Sequence, residues 1–487
     1  MKNSSFYITT TLPYVNADLH MGHALEFVRA DAIARFKKLS GFEVFFNTGT
    51  DEHGMKIHEK ALSLGKTPLE FVNENFLRFK DSVKIFGMDS DLHFIRTTDE
   101  HHIKAAQEFW IRCEKNSCIY KKNYQTRYCV GCESEKSDSE LNEKGECPDH
   151  PGTPLLLIEE ENYFFKYSAF GDMLLSFYQQ NPNFIVPDFR FNEIKAFVER
   201  GLQDFSISRL KSKMPWGIPV PGDEDQVMYV WFDALTNYIS TLGWPNDGES
   251  SDFEKYWVNG NPTQYCGKDN TRFQGAMWQA MLMAAQIPSS HQIVVNGFIT
   301  AGEGVKMSKT LGNVVDPKVI VEEYGTDALR YFLLREVSSF EDSPFTMERF
   351  KESYNANLAN GLGNLVSRIM KMAVTYEVDY ELFDEEGMLV KFLGLYGKDL
   401  EAFNIKNVTD NIWENIGILD RKIAEEKPFM YWKVEPDRAR ATVATLVIFL
   451  DEIAFSLKPF LPETSDKIRM LIREKKMPEE PLFIRKE

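Results

Sequence analysis

Residues 6–10 form a short apolar, β-branched run that reads as a buried strand, and a turn rich in proline and asparagine separates it from a helix. In that helix Leu25, Val28, Ala32, Phe36 and Leu39 recur at three- and four-residue spacing, and Gly41 stops it. Residues 43–47 read as a second strand, ending in a polar, glycine-bracketed stretch over 49–54. Thr67, Pro68 and Glu70 make a helix start: a capping threonine, a proline in first position and a glutamate closing the box. A further start at Thr98, Asp99 and Glu100 opens a helix through about Glu114. The strand pattern resumes over 226–231, 263–266 and 292–295, and the helix over 273–285 is apolar nearly all round, so it is expected to be buried. Strands alternating with helices predict an α/β fold with a doubly wound, parallel, Rossmann-type sheet. From about Ser353 the period is helical to the end, over 354–376, 389–403, 408–425 and 438–460, which predicts an all-α bundle.

The alternation breaks between 118 and 225. Cys129 and Cys132 form one Cys-x-x-Cys, and Cys147 and His150 a Cys-x-x-His, within a polar stretch too weak to build a core by itself. Three thiolates and an imidazole at that spacing suit one closed, tetrahedral zinc site that is structural, since no position is left for a reacting water. Reduced, unliganded thiols are the alternative. The stretch is expected to be a connective insertion in the sheet domain.

Composition narrows the class. At 487 residues the chain is too long for one core, and 43% apolar with 26% charged residues is ordinary for a globular protein. No apolar run is long enough to span a bilayer and no signal-peptide pattern opens the chain, so no membrane association and a cytoplasmic location are expected. The net charge of −17 argues against a broad basic surface for nucleic acid, though not against a local basic path.

Candidate chemistry gathers at strand ends. His20 and His23, with Gly22 between them, stand where a strand feeds a helix N-terminus. Free N–H groups and the positive dipole end there suit phosphate. Two surface histidines at a helix start are the plainer alternative. Asp51 and His53 end the second strand, and Asp269, after the strand over 263–266, is placed to take two ribose hydroxyls. Lys306 and Lys309 follow a glycine-rich loop; mobile lysines suit a leaving pyrophosphate.

Together, His20-Met21-Gly22-His23 and Lys306-Met307-Ser308-Lys309 resemble the paired signatures of class I aminoacyl-tRNA synthetases. Thr11 to Asn16, Gly49 to Gly54, Val230 to Ala234, Gly267 to Asp269, the single knuckle, Tyr324 to Arg330 and Asn357 to Arg368 sharpen that resemblance to the methionyl-tRNA synthetase family over nearly the whole chain. The resemblance implies a split catalytic domain over 1–117 and 226–300, the zinc-knuckle insertion over 118–225, a lysine-loop and stem-contact region over 301–352, and an anticodon-binding helical domain over 353–487. It implies two steps. ATP-dependent adenylation of L-methionine comes first, and transfer to the 2′-hydroxyl of the terminal adenosine of tRNA(Met) follows. His20, His23, Lys306 and Lys309 would be catalytic; Gly22, Glu26, Gly267, Asp269 and Ile299 would bind ATP, which enters with magnesium. Leu12, Tyr14, Asp51, Trp231, Ala234, Tyr238 and Gln274 would bind the amino acid. Asn364, Arg368 and Phe429 would read the anticodon, with Trp432 close by.

The chain departs from the family pattern at Met21, Leu235, Asn270, Gln274 and Asn296. Gln274 and Asn296 stand where histidines are usual. A larger editing insertion, as in relatives that activate branched amino acids, has no room between 118 and 225. The chain ends at Glu487 without an oligonucleotide-binding barrel, and a monomer is expected.

Overall fold

The computed structural model describes residues 4–487 apart from 17, 90, 133, 137–139, 247, 249–250 and 303–314. Six strands form the central sheet: β1 (Ser5–Thr9), β2 (Glu43–Thr50), β3 (His93–Arg96), β4 (Ile185–Val186), β5 (Thr263–Gly267) and β6 (Gln292–Asn296). Their spatial order is β3-β2-β1-β5-β6-β4, all parallel. The direction of winding reverses between β1 and β5. In an open parallel sheet that reversal leaves a crevice at the carboxyl ends of the strands.

Side-chain alternation along β1 seeds two cores. Phe6 and Ile8 join the core that contains helix α1 (Met21–Leu39) and continues without a break into the C-terminal helices. Tyr7 faces the opposite core, with Phe109 and Trp110 of the helix Glu100–Lys115 and with Trp278. The capping box at Thr67 and Glu70 forms as the spacing predicts, and Gly41, at φ +87°, supplies the left-handed residue that ends the turn after α1.

Two strand expectations change. Residues Asp223–Met228 do not rejoin the central sheet; they lie antiparallel between Ser208–Leu210 and Pro219–Val220 in a separate three-stranded sheet, and Val230–Ala234 is a helical turn. Conversely, Ile185 and Val186, inside the stretch read as insertion, supply edge strand β4. An apolar run specifies a strand but not the sheet that accepts it. The rest of the insertion includes an antiparallel ribbon in which Ile119–Cys129 pairs with Leu156–Phe165, and two helices, Gly171–Gln180 and Asp188–Glu199.

The C-terminal part contains α2 (Asn364–Thr375), α3 (Glu385–Glu401), α4 (Ile405–Glu426), α5 (Pro436–Ser456) and α6 (Pro462–Arg473). Arg330 stitches it to the sheet domain. It is fully buried, pairs with buried Asp31 of α1 at 2.7 Å, and donates to the carbonyls of Phe460, Pro459, Phe86 and Gly87. Removing one partner of a buried pair leaves an uncompensated charge, which costs about 3–5 kcal/mol. Arg330→Met is therefore expected to lower stability by about that amount in urea unfolding, whereas breaking the exposed Lys475–Asp379 pair is expected to leave the unfolding midpoint unchanged.

Candidate active site

The crevice at the β1/β5 reversal holds a cleft of about 420 Å³. His20, Gly22, His23 and Glu26 enter it from the start of α1, and Leu12, Tyr14 and Asp51 from the ends of β1 and β2. Trp231, Ala234 and Tyr238 come from two short helices, and Gly267, Asp269, Gln274 and Ile299 from the segments after β5 and β6. All fourteen line one cavity although six separate chain segments supply them. Lys306 and Lys309 lie outside the described residues.

His20 is the N-cap of α1. Its Nδ1 accepts the Gly22 N–H at 3.1 Å, and His23 Nδ1 accepts the His20 N–H at 3.2 Å. In a neutral imidazole an accepting Nδ1 leaves the proton on Nε2, so each ring keeps an Nε2–H donor. The two rings stack with centroids 3.9 Å apart. A Cβ at Gly22 would come within 2.9 Å of the His20 ring.

Glu26, next along α1, is 6% exposed and accepts both the amide N–H and the hydroxyl of Thr11 at 2.6 Å. Burial pushes its carboxyl up to about 8; the Thr11 donors pull against that, and nearby Asp269 adds to the rise. One turn farther, buried Arg29 donates to Asn296 Oδ1 at 3.0 Å and to the carbonyls of Ser339, Val337 and Ser338 at 2.9, 3.1 and 2.6 Å.

Asp51 is bound to the strand beside it through its own backbone: its N–H donates to Pro13 O and its C=O accepts from Val15. The neighbouring residues lock the loop. Glu52 takes a two-point contact from Arg96 at 2.8 and 2.9 Å. His53 Nδ1 lies 2.7 Å from Asp233 Oδ2, and His102 Nε2 is 2.8 Å from Asp233 Oδ1. Burial pushes the Asp233 carboxyl up, but His53 and His102 outweigh it and hold it below its ordinary value. His102 carries no motif of its own and is missed in the sequence; Asp233 lies within the family-like stretch Val230 to Ala234 but receives no role there, and the polar run at 49–54 marks the neighbourhood.

Across the cleft the Trp231 ring lies on Phe273, centroids 3.9 Å apart and nearly parallel. Gln274 Nε2 donates to the Tyr238 hydroxyl at 2.8 Å. Among the described residues, buried cleft atoms that find no protein partner include Trp231 Nε1, Gln274 Oε1 and Asn296 Nδ2.

Cys129, Cys132, Cys147 and His150 form a group able to hold a metal ion, with ligand atoms all within 4.8 Å of one another. Cys132 Sγ lies 3.4 Å from Cys147 Sγ and 3.2 Å from His150 Nδ1, and Cys129 Sγ 3.8 Å from His150 Nδ1. Tetrahedral zinc would set such edges at about 3.5–3.8 Å, so the donor set fits. The turn must carry glycine at 131, where a Cβ would sit 2.4 Å from the His150 ring. The knuckle abuts the cleft: Cys132 lines it, and Lys56, also in the lining, donates to Gly131 O at 2.7 Å.

Asn364, Arg368 and Phe429 stand apart from the cleft, in the bundle. Asn364 is exposed at the start of α2, and Arg368, one turn on, pairs with Asp420 of α4. Phe429 is 52% exposed just beyond α4. Trp432 is packed, stacked on Tyr376 at 4.1 Å with Arg440 over its ring.

A family model described as class I tRNA synthetases (M) matches residues 6–153 and 151–370. The chain belongs to this family. Relatives of the synthetase include the methionine–tRNA ligase of Clostridium acetobutylicum, 40% identical over 96% of this chain and 73% of that protein. The methionine–tRNA ligase of Brucella suis is 38% identical over 96% of this chain and 92% of its own length. Among solved structures, Mycobacterium tuberculosis methionyl-tRNA synthetase in complex with methionyl-adenylate superposes with a TM-score of 0.88 at 37% identity, covering 96% of this chain and 93% of that one.

The synthetase cleft carries a pH signature. Glu26 binds its proton more tightly folded than unfolded, so its share of stability is complete below about 4.5 and is lost as pH rises through about 8. Relative to Glu26→Gln, the wild type is expected to lose about 1.4 kcal/mol per pH unit across that window, with no further change above it, read from urea unfolding over a pH series.

Proposed function

We propose that this chain ligates L-methionine to tRNA(Met) in two steps, and that the cleft residues divide the work. The observation that carries the reading is the single cleft at the sheet reversal, where an α1 N-terminus with two Nε2–H donors faces a pocket walled by Trp231 and Tyr238. Methionine seats its flexible, polarizable thioether against Leu12, Tyr14, Trp231, Ala234, Tyr238 and Gln274, since thioethers pack well on aromatic faces. Asp51 holds its ammonium group. ATP, with its magnesium, lies across Gly22, with its ribose at Glu26, Gly267 and Asp269 and its adenine against Ile299.

In the first step the methionine carboxylate attacks the α-phosphate and pyrophosphate leaves. Charge grows on the phosphate oxygens as the bond to pyrophosphate breaks. His20 and His23 donate there from the helix N-terminus, and Lys306 and Lys309 take the leaving group. No covalent enzyme intermediate is involved; the acceleration is positioning and electrostatics. In the second step the 2′-hydroxyl of the terminal adenosine of the tRNA attacks the activated carbonyl and AMP leaves. Asn364, Arg368 and Phe429 read the anticodon, with Phe429 as the stacking ring because Trp432 is already stacked on Tyr376. Zinc in the Cys129–Cys132–Cys147–His150 knuckle supplies a cross-link that stands in for the core this polar segment lacks.

Methionine-dependent ATP–pyrophosphate exchange, measured with all twenty amino acids, is expected with methionine alone. His20→Ala or His23→Ala is expected to lower kcat by about 10²–10³ with the methionine KM little changed. Exchange driven by another amino acid overturns the substrate, and none with metal-replete protein overturns the activity. Elemental analysis of protein purified without chelators is expected to find about one zinc per chain; freshly purified protein without zinc overturns the knuckle assignment.

A further inference from the structure

The orphaned amide of Asn296 asks for a ligand. Asn296 is 2% exposed and lines the cleft at the end of β6, and among the described residues its Nδ2 has no partner. The amide orientation is set by its other end. Oδ1 accepts from Arg29 Nη1, and the two Nη groups of that guanidinium also donate to the backbone carbonyls of Leu333, Val337, Ser338 and Ser339. Turning the amide over would set an NH₂ against the guanidinium, donor against donor. Nδ2 is therefore held on the side away from Arg29. A buried donor with no acceptor is costly, which makes a ligand acceptor there favourable.

Which substrate meets it follows from the neighbours. Asn296 pairs in register with Gly267, lies three residues before Ile299, and is held by Arg29, one turn along α1 from Glu26. These are the proposed ribose and adenine contacts. The amino-acid wall comes from other segments, around 12–14, 51 and 231–238. We infer that Asn296 donates its amide N–H to the adenosine part of the nucleotide, an adenine ring nitrogen or a ribose oxygen, and that Arg29 is the residue that positions it. The inference rests on the nucleotide reading above. A histidine at this place also carries an N–H, so the donor, not the amide as such, is the requirement.

Isothermal titration calorimetry on the full chain, with ATP, inorganic pyrophosphate and methionine as separate probes, tests it. Asn296→Asp keeps an acceptor for Arg29 but removes the donor; Asn296→Ala removes the donor without adding charge. Both are expected to raise the Kd of ATP about tenfold, with pyrophosphate and methionine within about twofold of wild type. Asn296→His is expected to stay within about threefold for ATP. Asn296→Asp is expected to melt no lower than wild type, since Arg29 gains a carboxylate. An unchanged ATP Kd in both the Asp and Ala variants overturns the contact. Loss of ATP and methionine binding together with a lowered melting temperature also overturns it, in favour of a purely structural role. If the wild type binds ATP but catalyses no methionine-dependent exchange, the ligase reading fails by itself, and the ATP comparison still decides for or against Asn296.

Discussion

Helix α1 is buried over most of its length, and the charges it carries must therefore be matched inside the protein. Each match does a different job. Glu26 is held by Thr11 at the cleft floor, and Arg29 gathers Asn296 and the carbonyls around 337–339. Asp31 takes Arg330, which in turn caps carbonyls of the bundle, and Lys37 reaches Glu401 of α3. Read from its N-terminus, one helix thus connects the substrate cleft, the sheet and the C-terminal helices. Weakening the contacts of Arg29, Asp31 or Lys37 leaves a buried charge without a partner, and weakening that of Glu26 leaves a buried polar group unmatched, so the contacts are strict in a way that surface ion pairs are not.

The cleft shares that rigidity on its other wall. Asp233, with His53 on one oxygen and His102 on the other, ties the turn that carries Trp231 to the loop that carries Asp51. The knuckle adds a third support through Lys56 and Gly131. A binding pocket gains from stiff walls, because the ordering cost then falls on the ligand alone. Trp231 Nε1, Gln274 Oε1 and Asn296 Nδ2 are buried on this cleft without a protein partner among the described residues, and a buried polar atom without one favours a ligand that supplies it.

Much of this was legible in the chain. Periodicity alone locates β1, α1, β2, β5, β6 and the helices α2 to α5, though not α6, because a strand and a helix bury side chains at different spacings. The capping box at Thr67 and the grouping of Cys129, Cys132, Cys147 and His150 are also local patterns. His20 and His23 beside Gly22 at a helix start mark a candidate anion site before any fold is known.

Other features depended on distant neighbours. Nothing in the run at 223–228 tells that it joins an antiparallel sheet, or in Ile185 and Val186 that they edge the parallel one. The pairing of Asp31 with Arg330 and of Asp233 with His53 and His102 joins residues far apart, as does the seating of Phe429 in solvent while Trp432 stacks on Tyr376. The chain by itself determined the elements, the residue types at each strand end and the grouping of four candidate metal ligands, since those follow from spacing along a few turns. Only the tertiary structure decided which strand ends meet, which charges are buried and which buried polar atoms lack a protein partner. Burial and hydrogen-bond satisfaction are properties of what surrounds a residue, and the surroundings come from segments far apart in sequence.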